Sequence, residues 1–294
     1  MIQKASQSPF ASNEYISWGL PQLDKICSGG VPFRRVTVIS GPPSQGKSTI
    51  ALMAIAEAQK AGKKTIWLDS EYSADLNYMK ARGIDLDELD LIQPEHADEG
   101  LDALEDYLRK NKNVVAVIDS IGGLLPRQEQ EKSASEKTIG AQAQLVSKFI
   151  RKVVPILAVN NSALICITHE FTDLMSGKIK ISGGQKLDYH ASLHFRLKPK
   201  FGVVLKSGDE HVGKVVVAEI KKTKLGPTEK QECDLQFLYS SGFNAQADLL
   251  QDALDSGKIE KKGNSYYLSQ AKIAVGLNKL REWAKENPEA LHLT

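Results

Sequence analysis

One segment of the sequence has the composition and spacing of a phosphate-binding loop. It consists of Gly41, Pro42, Pro43, Ser44, Gln45, Gly46, Lys47 and Ser48, followed by Thr49. In this pattern backbone N–H groups and the start of a helix face the phosphates of a nucleotide. The lysine reaches the β- and γ-phosphates, and the serine hydroxyl binds Mg²⁺. We therefore predict that the segment binds a nucleoside triphosphate together with Mg²⁺.

Carboxylates that could complete a hydrolytic site follow two other apolar runs. Asp119 comes directly after the run 114–118, and Asp69 and Glu71 follow the run 65–68. Open α/β sheets bind ligands at the carboxyl ends of their strands. Asp119 is therefore expected in the Mg²⁺ shell, through a water molecule. Either Asp69 or Glu71 could activate water for attack on the γ-phosphate, and the residue types alone do not separate the two.

The elements that would position these residues alternate between apolar runs and helical patterns. Continuous apolar runs, typical of strands buried on both faces of a parallel sheet, lie at 36–39, 65–68, 114–118 and 164–167. Helical patterns lie between them, the clearest at 48–60 and 139–157. Further strands, expected to be antiparallel at the sheet edge, are predicted at 193–197, 214–220 and 234–239. The alternation predicts an α/β fold with a mostly parallel central sheet and helices on both faces.

The C-terminal part of the chain has a different pattern. From residue 245 onward it is helical, with one strand-like run at 265–268. This change predicts a small, separate α+β domain after the central sheet.

The composition is that of a protein with an apolar core and without a membrane segment. Hydrophobic residues make up 41% and charged residues 25% of the 294 residues. No apolar run approaches the roughly 20 residues that span a bilayer, and the N-terminal residues lack the apolar stretch of a secretory signal. Cys27, Cys166 and Cys233 lie far apart in the sequence, so we expect buried or free thiols in a reducing cytoplasm. The net charge of +2 does not decide whether the protein binds nucleic acid.

Together these motifs resemble the RecA family of DNA recombinases and, in local detail, the UvsX-like recombinases of bacteriophages. The segments that carry the likeness are 19–24, 29–32, 41–49, 68–71 with Asp75 and Tyr78, 118–120, 125–127, 166–170, 259–267 and 286–289. The resemblance implies a RecA-like P-loop ATPase core at 16–243 and a small C-terminal domain at 244–294. A short N-terminal segment at 1–15 would precede them and could supply an oligomerisation strand.

The resemblance also implies roles for residues around bound ATP. Glu71 would be the general base, Asp75 would bind the adenine amino group, and Tyr78 would stack on the adenine ring. Tyr239 would lie near the sugar. His169 stands where bacterial members carry a glutamine that senses the γ-phosphate, and UvsX-like members resemble this sequence in having histidine there.

Two polar segments, 127–140 and 170–184, resemble the loops that line the filament axis in the family and hold single-stranded DNA. Apolar side chains on them would wedge between stretched bases, and basic side chains on or near them would meet phosphates. The residues expected to contact DNA are Ile139, Arg151, Phe171, Leu174, Met175, Lys178 and Lys180.

Neighbouring subunits are expected to share the hydrolytic site. Lys222 and Lys224 match a family lysine pair that reaches the γ-phosphate of the next subunit, much as an arginine finger does in trans. The expected function is therefore an ATP-dependent DNA recombinase in the cytoplasm of a bacterial or phage-infected cell, assembled into a filament or ring. Its expected partners are single- and double-stranded DNA, together with single-strand-binding and mediator proteins.

Some features depart from the family and keep other functions open. Few residues precede the core, the end of the chain is not acidic, and Asp188 stands where bacterial members have an interface lysine. The main alternative is an accessory RecA-like paralogue that binds ATP and a recombinase without forming an active filament. A ring-forming ATPase such as a replicative helicase, and a nucleotide-gated DNA-binding module without catalysis, are further alternatives.

Overall fold

A computed structural model describes residues 13–130, 140–172, 177, 179–226 and 231–292. The strands in this part of the chain are β1 (Tyr15–Ile16), β2 (Val31–Pro32), β3 (Val36–Ser40), β4 (Lys64–Asp69), β5 (Leu89–Ile92), β6 (Val114–Asp119), β7 (Ala163–Ile167), β8 (Glu170–Thr172), β9 (Ile179–Ile181), β10 (Leu193–Ser207), β11 (Glu210–Thr223), β12 (Glu232–Leu238), β13 (Gly242–Phe243), β14 (Ile259–Lys262), β15 (Ser265–Leu268) and β16 (Ala271–Val275). The helices are α1 (Pro21–Ile26), α2 (Lys47–Lys60), α3 (Leu76–Ala81), α4 (Ala97–Lys110), α5 (Arg127–Gln130), α6 (Ala141–Asn160), α7 (Gly184–His190), α8 (Ala245–Asp255), α9 (Leu277–Glu286) and α10 (Pro288–His292).

The core is built on one large sheet. Within the described residues it has nine strands in the order β13-β12-β11-β10-β3-β7-β6-β4-β5. The strands from β10 to β5 are parallel to one another, and β11, β12 and β13 continue the sheet antiparallel. The predicted α/β fold with a mostly parallel sheet is confirmed.

Two details of the sheet differ from the expectations. The run 193–197 was expected to be antiparallel, but β10 is parallel to β3, with Leu193 opposite Thr37. It reaches this position through the preceding helix α7, and strands joined by a crossover of this kind run parallel. The edge strand β5 was not predicted, because its residues are exposed or half-buried and give no continuous apolar run.

Both faces of the sheet are covered by helices. Along β6, Val115 and Val117 pack on one face with α2, while Ala116 and Ile118 pack on the other face with α4 and α6. Successive side chains of a strand point to opposite faces, so an unbroken apolar run is what two covered faces require. The buried sheet thereby holds the carboxyl ends of its strands at a fixed edge.

The segment from α8 to α10 has an apolar core of its own, built from Leu250, Ile259, Tyr266, Leu280 and neighbouring side chains. The run predicted as a strand at 265–268 is β15, and it lies between β14 and β16 in a small antiparallel sheet. Those two flanking strands were not predicted because most of their residues are exposed. In the described part of the chain, no helix is both long and apolar enough to cross a membrane.

Candidate active site

The phosphate-binding loop joins the end of β3 to the start of α2. Gly41 has a φ of +147°, and a Cβ there would lie 2.2 Å from the carbonyl oxygen of Leu197 on β10. Gly46 has a φ of +82°, and a Cβ there would lie 2.7 Å from the ring of Phe243. Both positions require glycine, because a positive φ and a close approach exclude a side chain. The two glycines thus allow the loop to curl tightly against the sheet.

Lys47 lies inside this loop and is only 5% exposed. Its Nζ donates hydrogen bonds to the carbonyl oxygens of Gly41 at 3.0 Å and Pro42 at 2.8 Å. Burial lowers the pKa of the ammonium group, and the nearby carboxylates of Asp119 and Glu170 raise it. The cation is therefore held at the centre of the loop, where phosphate oxygens can replace the carbonyl oxygens as its acceptors.

Ser48, in the first turn of α2, lies beside Asp119 at the end of β6. The Ser48 hydroxyl hydrogen-bonds to the Asp119 carboxyl group. The pKa of Asp119 is raised to about 6, mainly by burial and also by the charges of Glu71 and Asp69, against the lowering effects of Ser48 and Lys47. A hydroxyl and a carboxylate are the oxygen ligands that Mg²⁺ prefers, and a cation would stabilise the ionised form of Asp119. The residues present fit a magnesium ion.

The two candidate bases, Asp69 and Glu71, have different surroundings. Asp69 is 1% exposed, and it accepts hydrogen bonds from the backbone N–H groups of Glu71 and Ser73 at 3.2 Å each and of Ala74 at 2.9 Å. Its Oδ2 also accepts a hydrogen bond from the Gln93 side chain at 3.0 Å. These contacts shape the turn after β4. Asp69 thus serves the backbone of that turn.

Glu71 projects from the same turn towards the phosphate-binding loop. Its Oε1 accepts a hydrogen bond from the Ser120 hydroxyl and lies 3.3 Å from Nε2 of His169. His169 follows β7, so the pair joins the ends of β4 and β7 across the end of β6.

A cavity of about 390 Å³ lies at this edge of the sheet, and we call it the phosphate-loop cavity. It is lined by Ser44, Gly46, Lys47, Ser48, Thr49, Glu71, Ser73, Asp119, His169, Lys214, Phe237 and Tyr239. Most of these residues were expected at the nucleotide from the sequence. The structure thus brings residues from widely separated segments to one place.

Ser73, Lys214 and Phe237 line the phosphate-loop cavity but were not predicted. Lys214 Nζ donates to the Ser44 carbonyl oxygen at 2.5 Å and lies 5.7 Å from the centre of the Phe237 ring. Phe237 is two positions before Tyr239, so the strand period could have indicated it. Lys214 had no such signal, because its place depends on the register between β11 and β12.

Asp75 and Tyr78 are not among the described residues that line the phosphate-loop cavity. Asp75 caps α3 by accepting a hydrogen bond from the Tyr78 backbone N–H at 3.0 Å. The Tyr78 hydroxyl lies 2.9 Å from Thr49 Oγ1, and the guanidinium of Arg82 lies 4.3 Å from the centre of the tyrosine ring. One face of the Tyr78 ring is thus covered by Arg82 in this structure, while Thr49 links Tyr78 to the cavity.

Lys222 and Lys224, which we call the lysine pair, lie at the end of β11 and beside the C-terminal end of α7. Their Nζ atoms donate to the Tyr189 carbonyl oxygen at 3.0 and 3.1 Å, and Lys222 also donates to the Asp188 carbonyl oxygen. Cations are favoured here because the last carbonyl groups of a helix lack partners inside it. Tyr189 itself is 74% exposed. The lysine pair is therefore a second cationic site, outside the phosphate-loop cavity.

The predicted second DNA segment begins and ends as a β-hairpin. In it Phe171 on β8 pairs with Lys180 on β9, and Phe171 is 51% exposed. A cavity of about 600 Å³, which we call the hairpin cavity, lies beside the hairpin. It is lined by Gln142, Ala143, Phe171, Ile179, Lys180, Ile181, Ser182, Gly183, Gly184, Asp188 and His194.

Other expected DNA contacts are placed only in part. Arg151 is exposed on α6, with its Nε 3.4 Å from the Ser147 carbonyl oxygen, but it does not line the hairpin cavity in the described residues. The predicted first segment, 127–140, does not begin as a loop, because 127–130 form the short helix α5, whose start is anchored to Asp98. The expected contacts that lie outside the described residues are Ile139, Leu174, Met175 and Lys178.

Comparison with known proteins identifies the family. The model of the RecA N-terminal domain matches residues 2–244. The RecA protein of Thermus aquaticus is 35% identical over 294 residues, which is 99% of this chain and 86% of the relative. The RecA protein of Clostridium novyi is 31% identical over 294 residues, 99% of this chain and 83% of the relative. These relatives are bacterial RecA proteins and give no support to a specific UvsX likeness. The chain belongs to the RecA family and is a P-loop, DNA-dependent ATPase that serves as a recombinase in DNA recombination and repair.

Proposed function

We propose that the protein assembles on single-stranded DNA and promotes homologous pairing and strand exchange, with ATP hydrolysis stimulated by the DNA. The observation that carries this proposal is the phosphate-loop cavity, in which Lys47, Ser48, Asp119, Glu71 and His169 lie together. A cationic loop, an oxygen site for Mg²⁺ and a carboxylate beside them are the parts that phosphoryl transfer to water needs.

In the proposed reaction Glu71 is the general base. The described contacts of its side chain are to Oε1, from Ser120 and His169, so we assign Oε2 to the attacking water. Asp69 is not assigned this role, because its oxygens accept hydrogen bonds from the turn after β4. Bound Mg²⁺, held by Ser48 and through water by Asp119, would neutralise charge on the phosphates.

His169 is the proposed sensor of the γ-phosphate. Its ring is 3.3 Å from Glu71, and the next residue, Glu170, begins the hairpin of β8 and β9. An imidazole that bonds to the γ-phosphate would shift when that phosphate leaves, and the shift would reach the hairpin directly. The exposed Phe171 and Lys180 on the hairpin are the proposed DNA contacts, together with Arg151. Any closer relation to UvsX-like phage recombinases rests on His169 alone.

The lysine pair is proposed to complete the site of a neighbouring subunit. Its ammonium groups lie outside this chain's phosphate-loop cavity and beside the exposed Tyr189, so they are placed for an outward contact. Assembly would then be required for fast hydrolysis, because each nucleotide would receive lysines from the next subunit. We also propose a cytoplasmic location, and single-strand-binding and mediator proteins as further partners.

ATP hydrolysis measured with and without single-stranded DNA tests the proposed function. We expect strong stimulation by DNA and its complete loss in Lys47→Ala, since the substitution removes the central cation of the loop. Strand exchange between homologous DNA molecules is the second measurement. Hydrolysis that ignores DNA, without strand exchange, would contradict the proposal and favour an accessory paralogue that acts through another recombinase.

A further inference from the structure

A chain of largely buried polar side chains runs between the lysine pair and the phosphate-loop cavity. His194 Nδ1 lies 2.7 Å from Asp188 Oδ1, and His194 Nε2 lies 2.9 Å from Ser40 Oγ. The Ser40 hydroxyl donates to Glu170 Oε1 at 2.9 Å, and Arg196 Nε donates to Glu170 Oε2 at 2.8 Å. His194 is 7% and Ser40 1% exposed. We call Asp188, His194, Ser40 and Glu170 the polar relay.

The polar relay touches three parts of the proposed reaction. At one end, the Asp188 carbonyl oxygen accepts a hydrogen bond from Lys222. At the other end, Glu170 directly follows the proposed sensor His169. Between them, Ser40 is the last residue of β3 and precedes the phosphate-binding loop. Hydrogen bonds between side chains, rather than solvent, therefore connect the two ends.

The hydrogen-bond chemistry of the polar relay depends on the proton of His194. Carboxylates only accept hydrogen bonds, a hydroxyl supplies one hydrogen, and a neutral imidazole supplies one. The links Asp188–His194, His194–Ser40 and Ser40–Glu170 need one hydrogen each, which is one more than these groups then supply. An imidazolium supplies the missing hydrogen and, with Arg196, balances the charges of the two carboxylates.

Groups from every neighbouring element act on this proton. Burial lowers the pKa of His194, the carboxylates of Asp188 on α7 and Glu170 on β8 raise it, and Lys221 on β11 lowers it, with a net lowering. Ser40 on β3 is the remaining polar neighbour. Proton loss as the pH rises through that pKa therefore leaves one link of the polar relay without a hydrogen.

We propose that His194 is a positioning residue for ATP hydrolysis. It holds the end of α7 beneath the lysine pair, and it ties this helix to the phosphate-binding loop and to β8, the strand that follows His169, in the same subunit. The inference rests on the proposed role of the lysine pair in trans. Each subunit then presents its lysines to its neighbour correctly only when its own polar relay is intact. The polar relay thus couples the nucleotide site of one subunit to the position of the lysines that this subunit offers to the nucleotide of its neighbour.

Assemblies of two variants allow the nucleotide site of a subunit and its lysine pair to be tested separately. A lysine donor carries Lys47→Ala, which removes its own hydrolysis, and an acceptor carries Lys222→Ala with Lys224→Ala. On single-stranded DNA neither should hydrolyse ATP rapidly alone, whereas their mixture should, because the donor's lysines reach the acceptor's nucleotide. Adding His194→Gln to the donor should lower the restored kcat about tenfold, because one hydrogen bond that positions the lysine pair is lost. The KM for ATP should stay unchanged.

The control is His211→Gln in the donor, the same substitution at an exposed histidine on β11. A second donor variant, Asp188→Asn, tests the same link from a side chain that is 42% exposed and less critical to folding. With the unmodified donor the restored rate should also fall as the pH rises from about 5 to about 6.5, relative to the His194→Gln donor, because burial lowers the pKa of His194 from its ordinary value. A purely structural role would not give that difference.

The outcomes distinguish the two proposals. If the unmodified donor restores no hydrolysis, the trans role of the lysine pair is wrong. If it restores hydrolysis and both His194→Gln and Asp188→Asn donors restore it equally well, the positioning role of His194 is overturned. An equal loss with His211→Gln would overturn it as well.

Discussion

The lysine of the phosphate-loop cavity and the two lysines of the lysine pair differ in the burial and in the hydrogen-bond partners of their ammonium groups. Lys47 is buried, bonded to carbonyl oxygens of its own loop and close to the carboxylates of Asp119 and Glu170. The lysine pair instead rests on the last carbonyl groups of a short helix, beside the exposed Tyr189. The first arrangement is complete inside the subunit. The second is held by backbone carbonyl oxygens near the surface, where Lys222 is half-buried and Lys224 is exposed.

This difference supports the proposal that the reaction divides between subunits. Buried charges must be satisfied by their own chain, because an unpaired charge in the interior is costly. Exposed cations carry no such requirement and can exchange one partner for another at little cost. In the proposed mechanism the phosphate-loop cavity carries the chemistry that each subunit completes alone, and the lysine pair carries the chemistry that needs assembly.

The largest expected effect sharpens the comparison inside the phosphate-loop cavity. Glu71→Gln should lower kcat by about 1000-fold with the Kd for ATP nearly unchanged, because it removes the proposed general base but keeps the side-chain shape. Asp69→Asn should act differently. It introduces an amide group among the backbone N–H donors that Asp69 accepts from, and should lower the Tm by about 4 °C or more.

Steady-state hydrolysis, nucleotide binding and thermal unfolding of the two variants give the answer. Substantial turnover in Glu71→Gln, with loss of turnover at an unchanged Tm in Asp69→Asn, would show that Asp69 rather than Glu71 is the general base.

The residues of the phosphate-loop cavity that lie on the loop and at the ends of buried strands could be predicted from the sequence. Contacts that depend on how distant elements pack could not. The phosphate-binding loop and the strands β3, β4, β6 and β7 are local signals, since glycine spacing and unbroken apolar runs need no knowledge of distant residues. The edge strand β5 has exposed side chains and escaped prediction. Lys214 and the Arg82–Tyr78 contact depend on how separate elements pack, which the spacing along the chain does not contain. The polar relay joins four separate elements and could not be predicted for the same reason.

The second expected effect tests whether the lysine pair works only in an assembly. Lys222→Ala with Lys224→Ala should lower DNA-stimulated hydrolysis about 100-fold, because two positive charges that we propose lie beside the neighbour's transferred phosphate are lost. ATP affinity of the isolated subunit should stay within about twofold, since the lysine pair lies outside the phosphate-loop cavity.

The matched control is Lys221→Ala, which removes a cation of the same strand that contacts Glu219 at 3.8 Å. Its DNA-stimulated rate should remain near that of the unmodified protein. Equal rates for the control and the double variant would contradict a specific role for the lysine pair.

The smallest expected effect concerns pH and the magnesium site. Burial raises the pKa of Asp119 to about 6, and Mg²⁺ with ATP favours the ionised carboxylate. Binding must then release a proton below that pKa, so the affinity for Mg²⁺ and ATP should increase about tenfold from about pH 5 to about pH 7. Asp119→Asn removes the titrating group and should flatten this dependence. The phosphates of ATP also titrate in this range, but equally for both proteins. Binding titrations across this pH range compare the two slopes directly, and an identical slope in Asp119→Asn would show that Asp119 is already ionised without the metal.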